Sequence, residues 1–187
     1  MYSDNLPRFE RPPVRETVLG VQFDPLPGFK IAHLGAFWKR LGDQWPVAED
    51  AGFLEPKFEE FTETGRWKDV QTLRMEERTR VRIQIRNKSG NRMVQLQNGR
   101  FHYNWLGNSG EEYPRYRIVK PEFEALYAEF KQFLSDEGLG MPTENQWEIT
   151  YLNQIPQGGG LWNKVSSLRL LIFTGLLLCS SSKRAFN

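Results

Sequence analysis

The stretch from Arg80 to Leu106 constrains the fold of this chain more than any other. Arg80–Arg86 (RVRIQIR) sets Val81, Ile83 and Ile85 against Arg80, Arg82, Gln84 and Arg86, the two-residue alternation of a strand with one face in a core. Lys88, Ser89 and Gly90 then supply turn residues, Met93–Gln97 returns, and Asn98-Gly99 is the dipeptide of a two-residue type I′ hairpin turn. Phe101, Tyr103 and Trp105 alternate in the strand that follows, Arg100–Leu106. The stretch predicts an antiparallel meander with an aromatic face and a polar face.

Flanking segments extend the pattern. Val14–Phe23 alternates Thr17, Leu19, Val21 and Phe23 with Glu16, Val18, Gly20 and Gln22, and Pro25 and Pro27 end it. From Phe29 on, Ile31, Leu34, Trp38, Leu41 and Trp45 recur at helical steps of three and four, closed by Pro46. Residues 46–73 mix prolines and glycines with aromatics and read as a long loop with room for a short edge strand. A second helix is expected to begin near Pro121, its apolar face being Phe123, Leu126, Tyr127, Phe130, Phe133 and Leu134. Trp147–Ile155 alternates again, with Glu148 opposite the aromatic positions. Together these predict an α+β fold: a two-layer sandwich, mainly antiparallel sheet with two amphipathic helices on one face, of ferredoxin-like type.

Residues 1–160 read as one α+β domain, and residues 161–187 as an atypical tail that is a truncated or frameshifted end. The tail contains Lys164, Arg169, Lys183 and Arg184 and no acid. Its apolar run, Leu170–Cys179, is ten residues long, where a membrane span needs about 20. A membrane is therefore not expected as a partner, and the run reads as a short buried helix or a stray apolar segment, the least ordered part of the chain.

Chemistry-bearing residues are sparse. With one cysteine, Cys179, and two histidines, His33 and His102, the chain has no zinc-ligand spacing, and neither metal nor cofactor is expected. The lone cysteine and the absence of an apolar leader point to the cytoplasm. Gly158–Gly160 lacks the Lys-Ser/Thr of a phosphate loop. Residues 74–100 hold eight Arg or Lys against Glu76 and Glu77, so Arg80, Arg82 and Arg86 form a candidate anion-binding row. A solvated strand face explains the same residues without a ligand, and nucleic acid is not the expected partner. Glu16, His102 and Glu148, opposite the aromatic positions of three strands, form a candidate acid/base set.

Four stretches, PPVRETVLGVQF (Pro12–Phe23), MVQLQNGRFHYNWL (Met93–Leu106), EYPRY (Glu112–Tyr116) and WEITYLNQI (Trp147–Ile155), together resemble a sporadically distributed bacterial family of uncharacterised proteins. The resemblance covers roughly residues 9–156 and implies a longer protein with a further α+β half that covers a polar sheet face of Glu16, Gln95, Gln97, His102, Asn104 and Glu148. The tail departs from that pattern. Sporadic distribution hints at mobile-element or defence loci, on association alone. Tyr113, Arg115, Tyr116, Tyr151 and Asn153 are the remaining motif residues, and Arg115 is expected to pair with Glu148 or Glu16. The leading expectation is a non-enzymatic interaction or ligand-binding module for a protein or small-molecule partner. The alternatives are an enzyme using Glu148 and His102 as acid and base, and a weak nucleic-acid binder through Arg80, Arg82 and Arg86.

Overall fold

Strand β1 (Val14–Phe23) lies inside the sheet with β5 (Arg100–Leu106) on one side and β6 (Glu144–Ile155) on the other, both antiparallel to it. The computed structural model describes residues 12–56, 80–107, 112–155 and 169–177. The other elements are α1 (Ile31–Leu41), β2 (Val47–Gly52), β3 (Val81–Arg86), β4 (Arg92–Gln97), α2 (Tyr116–Asp136) and β7 (Arg169–Leu177). They form one antiparallel sheet ordered β2-β3-β4-β5-β1-β6-β7. Since β5 and β6 both oppose β1, they run parallel to each other, and α2 carries the chain from one to the other across β1.

The alternation places Leu19 beside Tyr103 and Ile149, and Val21 beside Phe101 and Trp147, on a single face. Both helices cover that face. Phe37 of α1 meets Phe101 edge-on at 6.3 Å, while Phe130 of α2 stacks on Phe101 at 5.3 Å and meets Phe37 at the same distance. Phe37, Phe101 and Phe130 are fully buried, each worth about 1.5–3 kcal/mol on removal from water. A polar contact orients α2 on the sheet: Arg92 of β4 grips Glu122 through Nε (2.8 Å) and Nη2 (3.1 Å), and the Tyr103 hydroxyl donates to the same carboxylate at 2.6 Å.

Several boundaries differ from the sequence expectation. α1 stops at Leu41; a short 3-10 turn follows, and Trp45 lies beyond the helix, where its carbonyl accepts from Trp38 Nε1 at 2.7 Å. His33 helps start α1, its Nδ1 accepting from the Lys30 amide at 2.8 Å. The expected edge strand is β2, with Glu49 and Asp50 exposed along it; residues 57–73 of the expected loop lie outside the described residues. α2 begins at Tyr116, five residues before Pro121, because Val119 is fully buried and docks the earlier turn, at the loss of one intrahelical bond where proline lacks its N–H. The Asn98-Gly99 turn is not type I′, which needs positive φ at both residues; only Gly99 has it (103°). The Asn98 side chain is instead clamped to Leu26, accepting from its amide at 2.8 Å and donating to its carbonyl at 3.0 Å.

The largest correction concerns the apolar run near the end of the chain. Arg169–Leu177 is neither helix nor stray segment but strand β7, paired along β6 from Trp147↔Leu177 to Ile155↔Arg169. Ile172, Phe173 and Thr174 favour a strand, Gly175 disfavours a helix, and the β6 edge offers unpaired backbone groups to bond. Apolar composition alone does not separate the two outcomes.

Burial raises the hydroxyl pKa of Tyr103, Tyr127 and Tyr151 well above the ordinary tyrosine value of 10.0. A group whose folded pKa is raised contributes stability that is complete below its unfolded pKa and is lost as pH climbs above it. The protein is therefore expected to lose stability above pH ~10, with these three rings ionising only as it unfolds. Tyrosinate absorbance followed alongside circular dichroism checks this: ionisation of all tyrosines before the fold is lost would contradict it.

Candidate functional site

The sheet face away from the helices is polar and mostly buried. Gln22, Gln95, Gln97, Arg100, His102, Asn104 and Gln146 are all buried, an arrangement that is costly unless the polar groups find partners. Alternation puts them there: each stands one residue out of phase with the core-facing apolar positions of its strand. Register then arranges them in rows across the strands.

One row runs Gln84, Gln95, His102, Gly20, Glu148 over β3, β4, β5, β1 and β6. Gly20 is its pivot. A Cβ built there would lie 2.5 Å from His102 Cδ2 and 2.7 Å from Glu148 Oε1, distances that side chains essentially never show. Glycine leaves a gap in β1 through which His102 Nε2 and Glu148 Oε1 come into direct contact from the two neighbouring strands. Glu148, 17% exposed, is the outer member of the pair, with His102 behind it at 8%.

On the β5 side, Arg82 Nη1 and Gln84 Nε2 donate to Gln95 Oε1, Gln95 Nε2 to Asn104 Oδ1 at 3.0 Å, and Asn104 Nδ2 to Glu16 Oε1 at 2.5 Å. This chain of amides ties Glu16 of β1 to Arg82 of β3. A second chain starts at Arg100, whose Nη2 donates to Gln22 Oε1 at 2.6 Å and to the Glu55 carbonyl at 3.4 Å. Gln22 passes on to Asn145 and Asn145 to Asp24. Gln97 exchanges two hydrogen bonds with the Leu54 backbone. Burial depresses Arg100, with Glu148 offsetting part of the effect; burial also depresses Arg82, which Arg100 lowers further.

The expected site residues divide between the two faces. Glu16, Gln95, Gln97, His102, Asn104 and Glu148 do share the polar face. Tyr113, Arg115, Tyr116 and Tyr151 collect instead at the start of α2, with Tyr113 against Trp105 at 5.2 Å and Tyr151 raised by burial and then by the neighbouring Tyr113 hydroxyl. Asn153 stands beside Val14 in the β1–β6 ladder. Arg115 pairs with neither Glu16 nor Glu148, because it is the residue before α2, at φ 65°, on the helix side of the sheet. Arg80 sits 3.5 Å from Glu55 and Arg86 3.7 Å from Glu49, so of the candidate anion-binding row only Arg82 turns to an amide.

Sequence reading missed the part played by Gly20, Gln22 and Arg100. The signal was present, since Gln22 and Arg100 share the phase of Glu16 and His102, but Arg100 counted only toward the local basic charge. Among the described residues no three His, Cys, Asp or Glu side chains converge to hold a metal, and no helix is long and apolar enough to cross a membrane.

Gly20→Ala is expected to cost about 1–3 kcal/mol, the usual penalty of forcing atoms into a filled site. The cost should shrink in a Glu148→Ala background, where the carboxylate has been removed. Urea denaturation of the two single variants and the double variant measures the coupling; strict additivity would mean that Gly20 does not serve the His102–Glu148 contact. Compared with known protein families, curated proteins and solved structures, the chain matches none.

Proposed function

We propose that the chain is a ligand-binding module whose recognition surface is the polar face of the sheet, centred on Glu148 with His102 behind it. The contact of the two side chains across Gly20 carries this reading. A buried imidazole holds a part-exposed carboxylate in one orientation, as a site that must present fixed acceptor atoms to a ligand requires. The amide chains to Glu16 and Arg100 brace the surrounding strands. Packing alone gives no reason to retain such a face, because replacing both partners of a buried polar contact by apolar groups of the same shape is often neutral or stabilising.

The architecture that presents this face is an elaborated ferredoxin-like sandwich in our reading. Its support is the order β6-β1-β5-β4 with α2 crossing β1, to which β2, β3 and β7 add outer strands. Membership of the sporadically distributed bacterial family is part of the proposal, supported by the places where the four motifs fall: the neighbouring strands β4, β5, β1 and β6, and the entry to α2. A cytoplasmic setting is supported by the single cysteine. The same pair also favours a second reading, acid/base catalysis with Glu148 as the group that meets substrate and His102 as the residue that positions it.

A metabolite and nucleotide panel, screened by thermal shift and then for turnover, tests both readings. Binding without turnover that Glu148→Gln weakens about tenfold or more, the fold being retained, is the expected result. Turnover abolished by Glu148→Gln would establish the second reading. Ligands whose binding ignores Glu148→Gln would refute both.

A further inference from the structure

The polar face holds a second feature, next to the His102–Glu148 row. Continuing the β3–β4 register by one residue, Arg82 stands beside Gln97, and Gln97 is paired with Arg100. Two arginines thus flank one glutamine on the same face, two strands apart, about 10 Å between backbones and within the joint reach of their side chains. Among the described residues no carboxylate lies within ion-pair distance of either guanidinium; Arg80, Arg86, Arg92 and Arg40 all have one. Arg82 Nε is buried with no hydrogen-bond partner, and Gln97 is committed to the Leu54 backbone.

An orphaned guanidinium N–H is costly, and a second desolvated cation beside it adds repulsion. One oxyanion relieves both, accepting from the Arg82 Nε edge and lying between the two positive charges, in the fork geometry that suits carboxylate and phosphoryl groups. We propose that Arg82 and Arg100 form an oxyanion subsite that takes a carboxylate or phosphoryl group of the ligand, resting on the reading of this face as a recognition surface. The ligand then spans two rows: its anionic end at Arg82 and Arg100, its hydrogen-bond donors at Glu148. Arg82, only part buried at the β3 side, is the point of entry. A lone basic strand face needs neither an unpaired buried N–H nor a second arginine two strands away.

The test titrates the full chain with sodium phosphate and, separately, sodium citrate, ionic strength being held constant with sodium chloride. Thermal stability and the arginine Nε–H cross-peaks of a ¹H–¹⁵N spectrum are read. The proposal expects saturable stabilisation by at least one of the two anions, with the Arg82 Nε–H peak moving most. Which anion binds more tightly separates a phosphoryl ligand from a carboxylate ligand. Arg82→Gln should weaken binding about tenfold, the loss of one charge-assisted contact, and Arg86→Gln should leave it unchanged. Arg100→Gln, where it folds, should weaken binding as well, and undiminished binding in it overturns the two-arginine subsite. No saturable response to either anion, or a response that survives Arg82→Gln or is lost equally in Arg86→Gln, overturns the subsite. An uncharged panel ligand that depends on Glu148 would leave the recognition face standing while the anion subsite falls. Anion binding that is lost in Arg82→Gln, with Glu148→Gln silent toward every ligand, would do the reverse.

Discussion

The register of β1 between β5 and β6 is the constraint on which the rest of the structure depends. Leu19, Val21 and Phe23 must face the helices, and with the two-residue period of a strand that leaves Gly20 and Gln22 on the opposite side. A slip of one residue would put Gln22 among the phenylalanines and remove the glycine from between His102 and Glu148. The aromatic packing that fixes β1 therefore also fixes the geometry of the polar face. Phe101, in contact with Phe37, Phe123, Tyr127 and Phe130, is where that lock is tightest.

The two faces are stable for different reasons. The helix side gains from apolar burial, with Arg92, Glu122 and Tyr103 adding one satisfied polar contact at its margin. The opposite side removes amides, an imidazole and a guanidinium from water, and each hydrogen bond recovers only about 1 kcal/mol net. Its amide chains limit the cost, since Gln95 and Gln22 each both accept and donate. What they leave unbalanced is the Arg82–Arg100 pair, the basis of the proposed anion subsite.

Much of this was legible in the alternation. The phase of Val81, Ile83 and Ile85, of Phe101, Tyr103 and Trp105, and of Leu19 and Val21 was enough to separate the faces and to set Glu16, Gln95, His102, Asn104 and Glu148 together. Long-range pairing was harder to read. That His102 and Glu148 face each other depends on β1 lying between β5 and β6, and the period of one strand says nothing about its neighbours. Arg115 failed for the same reason: its charge suggested partners, and only the path of the chain into α2 shows them to be on the far side of the sheet. The β7 segment failed differently, because a short apolar run is compatible with either periodicity until a free sheet edge selects one.

The central claim is that the His102–Glu148 pair is kept for recognition and not for stability. The most direct measurement is the urea denaturation free energy of the double variant His102→Leu/Glu148→Met, which fills the same space with apolar atoms. The account predicts a protein as stable as the parent or more so. A loss of more than about 3 kcal/mol, with the variant still folded, would make the pair a structural keystone and contradict the account.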